Sequence, residues 1–376
     1  MTKSRNYSLD IVRIFAFFSV ICVHFFLNTN FYYEPMSGAK MYVMCIMRTF
    51  FMICVPLFVT LTGYLMSSKK LSAKYYIGIV KTLGIYLLAS IAAIIYKNAV
   101  LGYGLTFQDS ILGILDFTAS NYSWYIEMYI GLFLLAPFIN LMYNGLNTQK
   151  AKLILILTLI FITSLPTVLN IYNFKVDGWW ETPYISFQYQ KLIPYWWTKL
   201  YPLTYYFIGA YLKEYPIKLK KIFCLLLSIL IAVAFGSFLF YRYHDFHFVF
   251  EEFSEYQSLP VLFITIFVFS FFSQIKTDNL PKFAKSSLKF VSDITLGAYL
   301  LSFMADLTIY EHLKTHVPSL SDQFNWYIPT VLTIAIISLA GSAILNLTWM
   351  LLSKLAKLIA SKIPKRTQKK SNIEPI

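Results

Sequence analysis

Long apolar runs separated by short polar loops make up most of this chain. Runs of about 18 or more apolar residues recur along it, and a helix of that length crosses the ~30 Å hydrocarbon core of a bilayer. We place spans at residues 8–29, 41–66, 75–96, 121–143, 152–169, 197–213, 221–241, 258–275, 289–310 and 326–353. The pattern predicts an all-α integral membrane protein, a polytopic bundle of about ten transmembrane helices.

Positive charge is distributed unevenly over the loops between these spans. Of the 32 Lys and Arg residues, 23 lie in one alternating set of loops and termini, seven lie in the other, and Arg13 and Arg48 lie within spans. Cytoplasmic loops carry the excess of Lys and Arg, so both termini are predicted to be cytoplasmic. Residues 1–356 are then one transmembrane domain, and residues 357–376 are a basic cytoplasmic tail.

Composition agrees with a membrane protein, because 58% of the residues are hydrophobic and only 13% are charged, against about 25% charged in soluble domains. The positions of the positive charge explain the net charge of +14 as a signal of topology and lipid contact rather than of nucleic acid. We therefore expect a multi-pass protein of a cell membrane, with the lipid bilayer as a partner and no nucleic acid. The four cysteines all lie in apolar segments, and neither a disulfide nor a metal site is predicted.

The first span carries three polar side chains at or near membrane depth: Asp10, Arg13 and His24. Placing a charged side chain at the centre of a bilayer costs at least ~2.5 kcal/mol, so such residues mark functional sites. Arg13 and His24 are eleven residues apart, which is about three helical turns and ~16 Å along the axis. The two side chains therefore share one face of the helix, one near each end.

Other polar residues reach the depth of His24 from neighbouring spans. Arg48 and Glu127 lie in the outer halves of the second and fourth spans, and Ser302 and Asp306 approach from the ninth. A neutral His with one nitrogen held by a carboxylate is a general base for a hydroxyl. An Arg beside it stabilises an oxyanion or holds a phosphate.

We therefore predict catalytic roles for His24, Glu127 and Arg48, and substrate contacts for Trp124, Ser302 and Asp306. The carboxylate partner of His24 is either Glu127 or Asp306. Structural roles stay open as alternatives: Arg48 and Glu127 as an ion pair between spans, His24 as an interhelical hydrogen bonder, and Arg13 reaching the lipid headgroups or pairing with Asp10.

Several short motifs, in order along nearly the whole chain, resemble those of the membrane-bound acyltransferase family 3. They are Arg13 and His24 separated by ten residues, Asn6-Tyr-Ser-Leu-Asp-Ile-Val-Arg13, Arg48-Thr-Phe-Phe, Val55-Pro-Leu-Phe, Thr62-Gly-Tyr-Leu65 and Ser123-Trp-Tyr-Ile126. Many members have a His where this chain has Ser302. The resemblance implies transfer of an acyl group from cytoplasmic acetyl-CoA to a hydroxyl of an envelope glycan. It also implies that His24 is the catalytic base or handles the acyl group, and that Arg13 and Arg48 contact the donor.

We therefore expect an integral-membrane O-acetyltransferase that uses acetyl-CoA as co-substrate, without a metal. The acceptor is a capsular or other cell-envelope polysaccharide, or its lipid-linked precursor. Direct transfer and a covalent acyl-His24 route both fit the residues. A flippase of lipid-linked sugars is the rival hypothesis, although it predicts inverted repeats, and a membrane sensor or scaffold without turnover is a third.

Overall fold

The structure is a computed structural model that describes residues 5–170, 192–194, 196–250 and 252–362. These residues form a helical bundle, and no strand occurs among them. The helices are α1 (Tyr7–Asn28), α2 (Gly38–Phe51), α3 (Cys54–Met66), α4 (Ala73–Ile77), α5 (Val80–Ala99), α6 (Phe107–Leu115), α7 (Trp124–Gly145), α8 (Gln149–Thr163), α9 (Pro166–Leu169), α10 (Tyr201–Glu214), α11 (Lys221–Arg242), α12 (Leu259–Ser273), α13 (Lys282–His316), α14 (Leu320–Gln323) and α15 (Tyr327–Lys362).

Every predicted span coincides with helix. Eight helical segments of the described chain are long and apolar enough to cross a membrane, which confirms the all-α polytopic class. The other two predicted spans correspond to α10 and α12, which have 14 and 15 residues. At ~1.5 Å per residue these two helices are shorter than the ~30 Å hydrocarbon core. The count of ten spans and the cytoplasmic placement of the termini stay predictions.

The second predicted span is not one continuous helix. It divides at Met52 and Ile53 into α2 and α3, and Pro56 lies in the first turn of α3. Proline has no N–H to donate to the carbonyl four residues earlier, and its ring clashes with that carbonyl. Pro56 therefore breaks the helix at Met52, between the two cavities described below.

Helix α1 lies inside the bundle and packs against α2, α3, α12, α13 and α15. The side chain of Asn6 accepts a hydrogen bond from the Ser8 N–H and so caps the first turn. Because neighbouring helices surround α1, Asp10 and His24 are buried against protein. This position lets one helix present functional groups at both of its ends.

Helices α3 and α10 cross in close contact at Gly63 and Gly209. A Cβ at Gly63 would lie 1.9 Å from the carbonyl oxygen of Tyr206, and a Cβ at Gly209 would lie 1.9 Å from that of Thr60. Both obstacles are backbone atoms, so a larger residue at either position forces the helices apart. This contact fixes α3, which lines the Arg13 cavity described below.

We expect Gly209→Ala to destabilise the protein by about 3 kcal/mol, because overpacking against backbone cannot be relieved by a rotamer change. Thermal unfolding of the purified protein in detergent measures the effect as a lower Tm. Gly131→Ala in α7 is the matched control, since a Cβ there meets nothing within 4 Å. Equal Tm values for the two variants would contradict the close crossing.

The predicted basic tail is helical at its start. Helix α15 continues to Lys362, past the boundary at residue 356, because the apolar pattern of its last turns persists through Leu358 and Ile359. Residues 363–376 lie outside the described residues.

Candidate functional site

Two cavities lie along the face of α1 that carries Arg13 and His24. The first, the Arg13 cavity, has a volume of about 280 Å³, and its lining includes Arg13, Val20, Val55, Lys81, Ser292 and Tyr299. The second, the His24 cavity, has a volume of about 520 Å³, and its lining includes Val23, His24, Arg48, Met52, Trp124 and Tyr256. Val20 and Val23 are less than one helical turn apart, so the two cavities approach each other closely along α1.

His24 forms a hydrogen-bonded pair with Asp306 of α13. Its Nδ1 lies 3.2 Å from Asp306 Oδ2, and both side chains are buried. An ionised carboxylate can only accept, so this contact assigns the proton to Nδ1. The Nε2 atom then keeps its lone pair, which is the tautomer that a general base requires.

Tyr122 and Asn28 hold this pair in place. The Tyr122 hydroxyl donates to Asp306 Oδ2 at 2.6 Å, and its ring stacks at a tilt on His24 with the centroids 4.0 Å apart. Asn28 Nδ2 donates to the His24 carbonyl at 2.9 Å and lies 3.5 Å from Asp306 Oδ2. These donors fix the orientation of the Asp306 carboxylate beside the His24 ring.

Arg48 is buried at the wall of the His24 cavity, with 1% of the residue exposed. Its Nε donates to the Tyr32 hydroxyl at 2.8 Å and its Nη1 to the Ser254 carbonyl at 3.0 Å. Its guanidinium carbon lies 4.3 Å from the centre of the Phe248 ring. Burial raises the pKa of the Tyr32 hydroxyl, which therefore remains a neutral partner.

Within the described part of the chain, Arg48 Nη2 has no hydrogen-bond partner. A buried guanidinium N–H without an acceptor is costly. It can donate to an anion or a polarised carbonyl that enters the cavity.

Aromatic side chains form the wall between the two cavities. Tyr125 and Tyr299 line the Arg13 cavity, whereas Trp124 and Tyr256 line the His24 cavity. The Tyr125 ring centre lies 5.7 Å from that of Tyr299 and 6.3 Å from that of Trp124. Trp124 in turn stacks on Tyr256 with the centroids 5.8 Å apart. One layer of rings therefore stands between the two spaces.

The lining of the Arg13 cavity includes polar and charged side chains. Arg13 Nη1 donates to Ser292 Oγ at 3.0 Å, and Lys81 and Thr82 of α5 add a cation and a hydroxyl. Arg13 therefore lines a cavity, in addition to any approach to the lipid headgroups. Asp10 pairs instead with Arg5, at 2.7 Å.

Glu127 does not join this cluster. It is exposed and lines neither cavity, on the same face of α7 as Gly131 and Leu134. Spacings of four and three residues place these positions together on a helix, so Glu127 points away from His24. In the structure, the carboxylate partner of His24 is therefore Asp306. Arg48 has uncharged hydrogen-bond partners and forms no ion pair with Glu127.

The other predicted site residues divide between the cavities and the helix interior. Trp124 and Arg48 line the His24 cavity, so Arg48 is not part of the Arg13 cavity. Asp306 lies behind His24 and orients it, without lining either cavity. Ser302 is fully buried, and its hydroxyl donates to the Tyr299 carbonyl at 2.8 Å. This back-bond is common for serine inside a helix, and it turns Ser302 away from both cavities.

Sequence reasoning missed Asn28, Tyr122, Tyr32 and Ser292. Asn28 follows His24 by four residues, so helical periodicity could have placed it beside the base. Tyr122 and Tyr32 lie in connecting segments before α7 and before α2, where no periodicity relates them to the site.

Comparison with known proteins identifies the family of the chain. A family model described as an acyltransferase domain, that of acyltransferase family 3, matches residues 6–347. No curated protein and no solved structure matches the chain. The match covers both cavities and nearly all of the bundle. The chain is therefore a multi-pass membrane acyltransferase and belongs to acyltransferase family 3.

Proposed function

We propose that this protein is an O-acetyltransferase that moves an acetyl group from cytoplasmic acetyl-CoA to a hydroxyl of a cell-envelope polysaccharide or its lipid-linked precursor. The observation that carries the proposal is the buried His24–Asp306 pair at one cavity, with a second, cationic cavity at the other end of the same helix. The bacterial plasma membrane is the corresponding location.

The Arg13 cavity suits the acyl donor. Coenzyme A carries several phosphates, and the positive side chains of Arg13 and Lys81 attract such groups. The charge pattern of the loops predicts that this end of α1 is cytoplasmic, where acetyl-CoA is found. The ~16 Å between Arg13 and His24 is a distance that an extended pantetheine arm covers in large part.

The His24 cavity suits the acceptor. Trp124 and Tyr256 offer apolar ring faces against which the C–H faces of a sugar pack, and Glu255, Asn28 and Asn121 offer polar groups for its hydroxyls. Its larger volume, about 520 Å³, accommodates a monosaccharide unit of a longer chain.

The chemical step uses His24 as a proton carrier. Nε2 takes the proton from the acceptor hydroxyl while the oxygen attacks the thioester carbonyl carbon. The C–S bond then breaks, and the departing sulfur takes the proton from His24 as free CoA forms. Asp306 stabilises the imidazolium between these steps, and Arg48 Nη2 is placed to stabilise the oxyanion. Because the donor binds in the Arg13 cavity and the acceptor in the His24 cavity, the acyl group must cross the layer of aromatic rings between the two cavities.

Acetyl transfer in sealed membrane vesicles tests the proposal. Radiolabelled acetyl-CoA is supplied to inside-out and right-side-out vesicles that contain a crude envelope glycan, with vesicles lacking the protein as the control. We expect label in the glycan only when the donor reaches the cytoplasmic face. Absence of label, together with movement of a labelled lipid-linked sugar across the membrane, would favour a flippase instead.

Arg13→Gln is expected to raise the KM for acetyl-CoA by about ten- to a hundredfold and to change kcat little, because the guanidinium binds the donor away from the reacting carbon. Initial rates over a range of acetyl-CoA concentrations give both constants. Lys357→Gln, near the end of α15, removes one basic charge outside the cavity and is the control. A fall in kcat at unchanged KM would place Arg13 in the chemical step.

A further inference from the structure

Two carboxylates lie near the Arg13 guanidinium and do not pair with it. Asp10 precedes Arg13 by three residues on α1, a spacing at which side chains meet. Asp293 follows Ser292, the residue to which Arg13 donates. An arginine fork normally binds a carboxylate in preference to a hydroxyl. Within the described residues, however, neither carboxylate forms an ion pair with Arg13.

Arg5 forms hydrogen bonds with both of these carboxylates. Its Nε and Nη2 donate to the two oxygens of Asp10 at 2.8 and 2.7 Å. The same Nη2 also donates to Asp293 Oδ1 at 2.9 Å, and Lys289 Nζ lies 3.2 Å from Asp293 Oδ2. All four carboxylate oxygens therefore have a cationic partner other than Arg13.

We propose that Arg5 is a positioning residue for donor binding, which holds Asp10 and Asp293 so that Arg13 stays free for the phosphates of acyl-CoA. The inference rests on the proposed function of the Arg13 cavity. Arg5 does not itself line the cavity, whereas Arg13 and Asp293 do, so Arg5 acts on the donor through the residues that it holds in place.

The charges of the cluster support this role. The cluster contains three cations, Arg5, Arg13 and Lys289, and two carboxylates, Asp10 and Asp293. Its net charge is therefore +1, and Arg13 is the cation that has no carboxylate partner. Without Arg5 the cluster is neutral, and Asp10, which is buried, has no cation except Arg13 within one helical turn. A carboxylate paired with Arg13 competes with the donor phosphates for the same N–H groups.

Binding of CoA to the purified full-length protein in detergent, measured by titration calorimetry, tests the inference together with steady-state kinetics. We expect Arg5→Gln to weaken CoA binding about tenfold and to raise the KM for acetyl-CoA in parallel, with kcat at saturating donor within twofold of wild type. Lys285→Gln is the control for charge, because Lys285 donates to the Asp278 carbonyl and touches neither carboxylate.

A second background separates positioning from direct contact. In the Asp10→Asn/Asp293→Asn variant no carboxylate competes for Arg13, so adding Arg5→Gln is expected to change the Kd by less than twofold. A tenfold loss that persists in this background would overturn the inference, because Arg5 would then bind the donor itself. An unchanged Kd for Arg5→Gln in the wild-type background would overturn it as well.

The failure of the proposed function has a different signature. If the wild-type protein neither binds CoA nor transfers acetyl, the donor assignment of the Arg13 cavity is wrong, and the inference falls with it. If the wild type binds CoA and only the Arg5 variants behave otherwise than expected, the proposed function stands and the positioning role is wrong.

Discussion

Replacing His24 with Gln is expected to lower kcat for acetyl transfer by about 10³-fold and to leave the KM for acetyl-CoA within a fewfold of wild type. General base catalysis contributes about 10²- to 10⁴-fold, and Gln cannot accept the proton of the acceptor hydroxyl. The donor constant should change little, because Arg13 lies three turns away on the same helix. Acetyl transfer by purified protein at saturating donor, normalised to the folded fraction, measures the effect.

Two controls distinguish a loss of catalysis from a loss of folded protein. His312→Gln changes an exposed histidine near the end of α13 and should retain full activity. The His24→Gln protein should insert in the membrane at wild-type levels and unfold at a similar temperature, since Gln can keep a hydrogen bond to Asp306. Activity of His24→Gln within tenfold of wild type would exclude His24 as the base.

Labelling of the wild-type protein separates the two routes of acyl transfer. In a covalent route, Nε2 of His24 attacks the thioester, the C–S bond breaks, and acetyl stays on His24 until the acceptor hydroxyl takes it. Incubating the wild type with radiolabelled acetyl-CoA without acceptor, followed by a rapid quench, would then label the protein at His24. Direct transfer predicts no such label and no release of CoA without acceptor.

The shared face of Arg13 and His24 could be predicted because helical periodicity alone fixes it. Eleven residues close almost three whole turns, and neighbouring helices do not alter this relation. The structure accordingly gives each residue a cavity at its own end of α1. The all-α class could also be predicted, because a helix satisfies all the backbone hydrogen bonds of an apolar run of bilayer length within the lipid.

The partner of His24 could not be chosen between Glu127 and Asp306 from the sequence. Depth in the membrane does not distinguish the two carboxylates, because both lie at approximately the same depth. The rotation of α7 and α13 about their axes decides which one faces α1, and packing between helices sets that rotation. The structure turns Asp306 toward His24 and leaves Glu127 exposed.

Arg48 shows a second limit of the sequence. Its depth predicted an active-site position, and it does line the His24 cavity. Its partners, however, come from connecting segments: the Tyr32 hydroxyl, the Ser254 carbonyl and the Phe248 ring. Such segments have no hydrophobic period from which their path can be predicted. The uncharged partners of this guanidinium, which form no ion pair with it, were therefore not foreseen.

Asp306→Asn is expected to lower kcat by about 10²-fold or more while the KM for acetyl-CoA stays within twofold. The substitution keeps the size of the side chain but removes the charge that stabilises a proton on His24. The amide can also donate to Nδ1, which would move the histidine proton to Nε2 and remove the base. Initial rates over a range of donor concentrations give both constants.

Matched variants identify which property of Asp306 matters. Tyr122→Phe removes one donor to Oδ2 but keeps the ring on His24, so we expect a loss of about tenfold or less. Asp306→Glu keeps the charge and should retain more activity than Asp306→Asn, whereas Asp322→Asn, on the exposed surface of α14, should have no effect. If Asp306→Asn lowers the yield of folded protein but the folded fraction keeps wild-type kcat, Asp306 serves the fold and not the base. Since the oxygen of the new amide can still accept the proton of Nδ1 and leave Nε2 as the base, that outcome would leave His24 as the base acting without a carboxylate.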